Sequence, residues 1–547
     1  MSLALGAVPP IPEETKRVAK LAFPKGNMYV TMREELGSIF ENEDFADLYP
    51  RVGQYGIAPW QLALVTVMQF VEDLSDREAA DAVRGRIDWK YALSLELTDA
   101  GFDFSVLSEF RSRLLQGRAD TRLLEKIVSV CKAHNLLKTD GKQRTDATHV
   151  VGAIRLLNQI ELVHETLRHT LNVLAEMVPD WLKKQINTDW HTYYAKRLTE
   201  YHLPKDEAAR LDIALRIGQD GCFLLTQICA SPDADWLRRV PAVETLRQVW
   251  LQNYYHDQGN LQWRDTPNRP RPAQSIASPH DTQARYSTKR DLTWVGYKVH
   301  LTETCNPDTP NLIVQVETTP STQHDSPAFV YIRQDLQATD RLPSEHLVDA
   351  SYMSVDTLVE LAAHGVDLVG PVKLDSSWQA RDPDGFDHTH FTINWDQQQA
   401  TCPQGKSSRS WVSYDDKRGY DLVKIKFGKS DCTPCSVRTR CTRSARHPRM
   451  LTVHTQTHYE ALKAARQRQQ TQDFKDRYAV RAGVEGTISQ LAGSLGLRRA
   501  RYRGLAKIHL QSIATATAAN LRRVIAWLDD NIPRSTTRKT PFARLVA

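Results

Sequence analysis

No stretch of this 547-residue chain approaches 18 consecutive apolar residues, so the sequence predicts no membrane-spanning helix. Cysteine is scarce as well, and eight thiols in a chain this long do not make a disulfide scaffold. Cys131, Cys222, Cys229 and Cys305 are scattered and read as buried thiols, which fits a reducing, cytoplasmic setting. The short apolar run near the N-terminus has no basic stretch before it, so a secretory signal is not expected. A large excess of one charge is missing too. Net charge is only +6, and any signal for a polyanionic partner must therefore be local. What is present, 41% hydrophobic and 25% charged residues, is the composition of an ordinary globular protein with a sizeable core.

One absence is local and informative. After Glu485 no acidic residue occurs until Asp529, while Arg498, Arg499, Arg501, Arg503, Lys507, Arg522 and Arg523 accumulate. Tyr478, Arg481 and Glu485 lie at i, i+3 and i+7, which puts them on one face of a continuous helix. A carboxylate heading an acid-free basic tract suits a metal ligand delivered to a polyanion. A solvated helix with an incidental glutamate fits the same stretch. Gly483 and Gly486 flank Glu485 and weaken the helix locally, which suggests close backbone approach to a nucleic acid.

Along the chain, a short helix is expected around Met32–Phe45 and a helical region from Ala58 to about Arg118. Pro59 suits a first helical turn, Ser75-Asp76-Arg77-Glu78 is a capping box, and a second Ser-led helix spans Ser105–Leu115. Short capped helices fit a helix-turn-helix reader or a packing bundle, and residues 60–118 carry ten acids against seven bases, which is no DNA footprint as a whole. Gln143–Val150 alternates as a strand, with Asp146 inside it, where aspartate is disfavoured without a reason such as a metal or a turn. From about 153 to 250 the period is helical, with breaks near Pro179 and Pro204 and a stripe of Leu156, Ile160, Val163, Leu167 and Leu171. Residues 264–280 read as a Pro-rich loop. Strands follow at Leu292–Thr302 and Asn311–Thr318, then a β-α-β unit of Leu347–Ala350, Ser354–His364 and Val366–Val372. The combination predicts an α/β chain with a mixed sheet flanked by helices.

Two constellations carry chemistry. Cys402, Cys432, Cys435 and Cys441, with a CxxC knuckle at 432–435, supply four thiolates for a structural Zn²⁺ within a small β insertion. Arginines 438, 440, 443, 446 and 449 give that region a basic surface, for phosphates or simply for solvent. Asp146 on a strand, Asp349 at the end of another and Glu485 on a helix are hard oxygen ligands suited to a pair of Mg²⁺ (or Mn²⁺) ions. Asp281, Asp291 and Asp325 compete, Asp281 (SPHDTQAR) most strongly.

The order Asp146 in RTDATHV, Asp349 in VDASYMS and Tyr478-x2-Arg481-x3-Glu485 resembles the DDE transposases of bacterial insertion sequences. Within them it resembles the IS5-like and IS1182-like groups, as do WVGYKVHLTETC, the cysteine insertion and the RYRGLAKIHLQ…NLRR tail, from about residue 35 to 530. The resemblance implies an RNase H-like mixed sheet flanked by helices, with a helical N-terminal domain (1–135), a helical insertion (about 153–275) and a cysteine-containing β insertion (376–459). The catalytic domain would take 136–375 and 460–530, leaving a tail at 531–547. It implies Asp146, Asp349 and Glu485 as catalytic metal ligands, with Tyr478 and Arg481 on the DNA end. The family places a lysine seven residues after the glutamate. Here that position is Ala492, so its role passes to Arg498, Arg499 or Lys507, or is lost. Double-stranded DNA and a dimer on paired ends are the implied partners. An inactive DNA-binding repressor and a host RNase H-like nuclease are the alternatives.

Overall fold

The computed structural model of the protein describes residues 6–50, 52–138, 140–416 and 419–529; the expected tail at 531–547 lies outside them. Seven helices come first: α1 (Glu13–Ala22), α2 (Met28–Glu35), α3 (Pro59–Val71), α4 (Asp76–Gly85), α5 (Ile87–Ala92), α6 (Ser105–Gln116) and α7 (Arg122–Ala133). The capping box forms as read, Ser75 and Glu78 each satisfying the other's backbone N–H at the start of α4. The helix expected around Met32–Phe45 is divided. Asn27 caps α2 early, Gly37 turns at φ +67°, and Glu43–Leu48 forms only a 3-10 turn.

The strand β1 (Lys142–Val151) follows, then five helices: α8 (Gln159–Met177), α9 (Pro179–Gln185), α10 (Thr188–Tyr194), α11 (Glu207–Ala230) and α12 (Pro241–Asn253). Val163 and Leu167 are fully buried on α8 as the stripe predicted. Leu156 is not, because Asn158 caps the helix two residues later and leaves it 56% exposed. A hairpin of β2 (Tyr254–Asp257) and β3 (Asn260–Trp263) closes the insertion. Strands β4 (Arg285–Lys289), β5 (Leu292–Thr304) and β6 (Ile313–Pro320) precede helix α13 (Asp325–Ala338). The expected β-α-β unit is β7 (Glu345–Val348), α14 (Val355–Ala363) and a shortened β8 (Asp367–Val369). After the short α15 (Trp378–Arg381) come β9 (Thr392–Asn394) paired with β10 (Gln399–Thr401), and β11 (Ser410–Asp415), β12 (Asp421–Lys426) and β13 (Met450–His454) in an antiparallel sheet. One-turn helices α16 (Lys429–Cys432) and α17 (Arg438–Cys441) interrupt that sheet. The chain ends in α18 (Gln456–Arg468), α19 (Gln472–Ala479), α20 (Gly483–Ser494) and α21 (Leu505–Leu528).

These elements form two compact units. The first takes the described residues of Met1–Thr139, Asp146–Arg341 and Val484–Ala547. In it β4 and β6 each pair antiparallel with β5, and β5 neighbours the second half of β1. Gly296 on β5 is needed there, because a Cβ would lie 2.1 Å from the Val150 carbonyl oxygen. Helix α21 packs against α3, α7 and β6, and its residues 508–521 are buried almost without break apart from His509. Sequence reasoning took this stretch as part of a basic, DNA-facing tract. Its Ala- and Thr-rich centre instead makes it a core helix.

The second unit takes Asp140–Thr145 and Leu342–Gly483. Here the first half of β1 pairs parallel with β7, and β7 parallel with β8. Buried Leu347, Val348, Leu368 and Val369 are the near-continuous apolar run that a two-faced parallel strand demands. Arg477 on α19 bridges Glu345 at 2.8 Å and Asp367 at 2.5 Å, and Arg468 on α18 also reaches Asp367 and the Leu368 carbonyl, so two helices are tied to these strands. The cysteine-bearing region has its own core of Val423, Ile425, Leu451, Val453, Phe391 and Phe427.

Candidate active site and cysteine cluster

The parallel register runs Lys142↔Glu345, Gln143↔His346, Arg144↔Leu347 and Thr145↔Val348. Thr145 Oγ1 and His346 Nε2 lock it at 2.7 Å in a buried hydrogen bond. The next residue along one strand is Asp146, and the next along the other is Asp349. Asp146 is half-buried, and its Oδ1 accepts the Ala147 N–H at 2.8 Å. Asp349 stands just past the end of β7, where Oδ1 accepts the Ser351 N–H at 2.8 Å and Arg481 lies 3.9 Å from Oδ2. Asp146 thus lies within β1 and Asp349 just past the end of β7, and each has a carboxylate oxygen that accepts a nearby backbone N–H.

Glu485 is exposed in the first turn of α20, where helix polarity favours a carboxylate. The continuous helix assumed for Tyr478, Arg481 and Glu485 is not kept. α19 ends at Ala479 and Val480–Ala482 forms a 3-10 turn before α20. Tyr478 stacks on Phe474, with ring centroids 5.6 Å apart and planes within 9°. Arg144 of β1 reaches this turn and donates to the Val480 carbonyl at 2.6 Å. A Cβ on Gly483 would sit 2.0 Å from the Arg144 guanidinium, so the close approach here is made by Arg144. At Gly486 nothing lies within 4 Å of such an atom.

Within the first unit, a buried network that sequence reasoning missed holds α20. Glu303 of β5 is fully buried and accepts from Thr487 at 2.8 Å and from Arg523 at 2.9 Å. Arg523 also donates to Thr487 Oγ1 at 2.7 Å and to the Asn311 carbonyl at 2.8 Å. Arg523 is thus a fastener of the helix that carries Glu485. Its one sequence signal is the carboxylate of Glu303 in the WVGYKVHLTET strand, which, once buried, requires a counter-charge.

The basic residues divide by environment. Arg498 donates to Thr148 Oγ1 at 2.9 Å, and residues 498–500 hydrogen-bond along the end of β1. Arg501 is paired with Asp73, donates to the Leu74 carbonyl and lies 4.5 Å from the Phe70 ring, fixing the N-terminal helices. Arg499, Arg503 and Lys507 are exposed. The rival Asp281 is buried and occupied: it accepts from the Tyr297 hydroxyl at 2.6 Å and from the backbone of Gln283, Ala284 and Gly504. Asp325 pairs with Lys298 at 2.7 Å, and Asp291 is an exposed turn residue.

Cys402, Cys432, Cys435 and Cys441 all line one cavity of about 270 Å³. The Lys406 N–H donates to Cys402 Sγ at 3.4 Å, beside Gly405 at φ +72°, in the manner of a metal-binding knuckle. Burial pushes the Cys441 thiol up to about 11, and the neighbouring thiols of Cys432, Cys402 and Cys435 act in the same direction. Donor chemistry fits Zn²⁺. Among the described residues, however, the group of ligand atoms mutually within 4.8 Å is Asp375, Asp387 and His388 rather than three of these sulfurs. Holding an ion at about 2.3 Å from each sulfur would draw the thiols inward.

Residues 401–525 match the family model described as a transposase DDE domain, and residues 18–113 match one described as a transposase domain. Among curated proteins, none matches the chain. No helix among the described residues is long and apolar enough to cross a membrane. Taken together, the two domain matches indicate a DDE transposase family.

Proposed function

We propose that the protein is a DNA transposase of the IS5-like or IS1182-like kind, with an RNase H-like core, that binds the terminal inverted repeats of its insertion sequence. It would cleave phosphodiester bonds there and join the freed 3′-OH ends to target DNA. The observation that carries this reading is the β1–β7 register, which leads directly to Asp146 on one strand and Asp349 on its parallel neighbour. The two transposase-domain matches support it. In this reading Asp146, Asp349 and Glu485 hold Mg²⁺ or Mn²⁺, hard cations that oxygen donors suit. The metals would lower the pKa of an attacking water or 3′-hydroxyl and stabilise the departing oxygen. Arg481 and Tyr478 orient the DNA end, and Arg498, Arg499, Arg503 and Lys507 meet the phosphate backbone. Arg501, paired with Asp73, positions the N-terminal helices. Cys402, Cys432, Cys435 and Cys441 would bind a structural Zn²⁺, and the active form would be a dimer on paired ends.

Cleavage of inverted-repeat DNA in the presence of Mg²⁺ tests the proposal. Glu485→Gln should retain DNA binding and lose cleavage by at least about 10³-fold, the scale of losing a catalytic electrostatic contribution. Cleavage undiminished in that variant would remove Glu485 from the site.

A further inference from the structure

A second cavity lies wholly within the first unit, between the end of β1 and the helical insertion. It has a volume of about 190 Å³, and its lining includes Arg155, Arg197 and Arg503, with His280 and Glu165. Ala153, Ile154 and Leu157 supply an apolar wall. The charges within it do not cancel. Glu165 is held well below the usual carboxylate range: burial opposes its charge, but hydrogen bonds from Arg168 and His280 more than offset that burial. Arg168 grips both its oxygens, at 2.8 and 2.7 Å, and His280 Nε2 lies 2.7 Å away. Glu165 is therefore largely neutralised before the cavity arginines are counted. Arg197 approaches it only to 3.8 Å and keeps 67% of its side chain exposed. Arg155 is paired with Glu161 and the Leu198 carbonyl. Arg503 has no hydrogen-bond or ion-pair partner among the described residues.

Guanidinium groups around a small concavity suit an oxyanion, because each offers paired donors matched to phosphate oxygens. We infer that this cavity seats a phosphate group of the DNA backbone, held by Arg197 and Arg503 with Arg155 beside them. The inference rests on the transposase reading and extends it, giving the insertion a contact with DNA through Arg155 and Arg197.

The test is DNA binding by the full chain, measured as affinity against salt concentration. Arg197→Gln/Arg503→Gln is compared with Lys183→Gln/Lys184→Gln, which removes two exposed charges from α9 of the same insertion. The cavity variant should lose about tenfold or more in affinity and flatten the salt slope by roughly one to two, while the control stays within about twofold. Both arginines are exposed, so thermal unfolding should be unchanged in the variant. An equal response of the two double variants overturns the inference, since net charge alone would then explain it. A cavity that broadens the ³¹P signal of inorganic phosphate while its variant binds DNA normally would be a free-anion site, which also overturns it. Wild-type protein that binds no DNA sinks the transposase reading itself. Wild-type binding with an unmoved slope in the cavity variant sinks only the cavity.

Discussion

Glu303 and Arg523 illustrate how burial assigns roles to charges that look alike in sequence. Breaking a buried, hydrogen-bonded ion pair leaves one charge uncompensated and costs about 3–5 kcal/mol. Glu303→Ala should lower stability on that scale in chemical denaturation, and Arg522→Ala, in the neighbouring position, should cost under about 1 kcal/mol. Glu317 on β6 gives a pH signature. Burial, with the carboxylates of Asp335 and Asp120 adding to it, pushes its pKa up to about 7. A folded-state value above the unfolded one means that the associated stability is complete below about pH 4.5 and is lost as pH rises through 7. Glu317→Gln should therefore flatten the pH dependence of unfolding in that window, by at most about 3 kcal/mol. An unchanged profile would show that Glu317 ionises normally.

At the level of elements, the turn between α19 and α20 is shaped by a side chain of β1. Arg144 is buried, anchored to the Val480 carbonyl, and fills the space that any side chain at position 483 would need. Gly483→Ala is expected to destabilise by about 1–3 kcal/mol, as overpacking does. Gly486→Ala, in open space within α20, should stabilise by roughly 0.5–1 kcal/mol. Urea titration of the two variants distinguishes them by sign. Two glycines flanking Glu485 look alike in the sequence, and the position of Arg144 separates them.

At the scale of the whole molecule, the cysteine region is a small sheet with a limited apolar core. A structural zinc would contribute folding free energy there. Protein purified without chelator should carry about one equivalent of zinc, and chelation should expose the four thiols to titration and lower the unfolding temperature. Less than one equivalent, with thiols reactive from the start, would count against the site. Cysteine content alone made this region stand out, because four of the eight thiols fall within forty residues.

Much of the fold was legible in local patterns. The capping box at Ser75, the alternation of β1 and β5, the Val163/Leu167 stripe and the β-α-β unit after Pro343 all depend on neighbours within a few residues. The strand-end position of Asp349 was legible for the same reason. The sequence ranked Asp281 behind Asp146 only by its Pro-flanked, loop-like setting, and it did not distinguish Arg501 and Arg523 from Arg503 and Lys507. A carboxylate or a guanidinium reads the same wherever it occurs, and its role depends on what surrounds it. Tyr297 and three backbone amides occupy Asp281, Asp73 pairs with Arg501 and Glu303 with Arg523, all brought from distant parts of the chain. The sequence by itself determined most of the elements and put forward the residues of the candidate site, while the Met32–Phe45 and Tyr478–Glu485 helices proved to be divided. Tertiary structure alone decided which charges are neutralised in the core and which remain facing solvent, because that depends on long-range burial and partners.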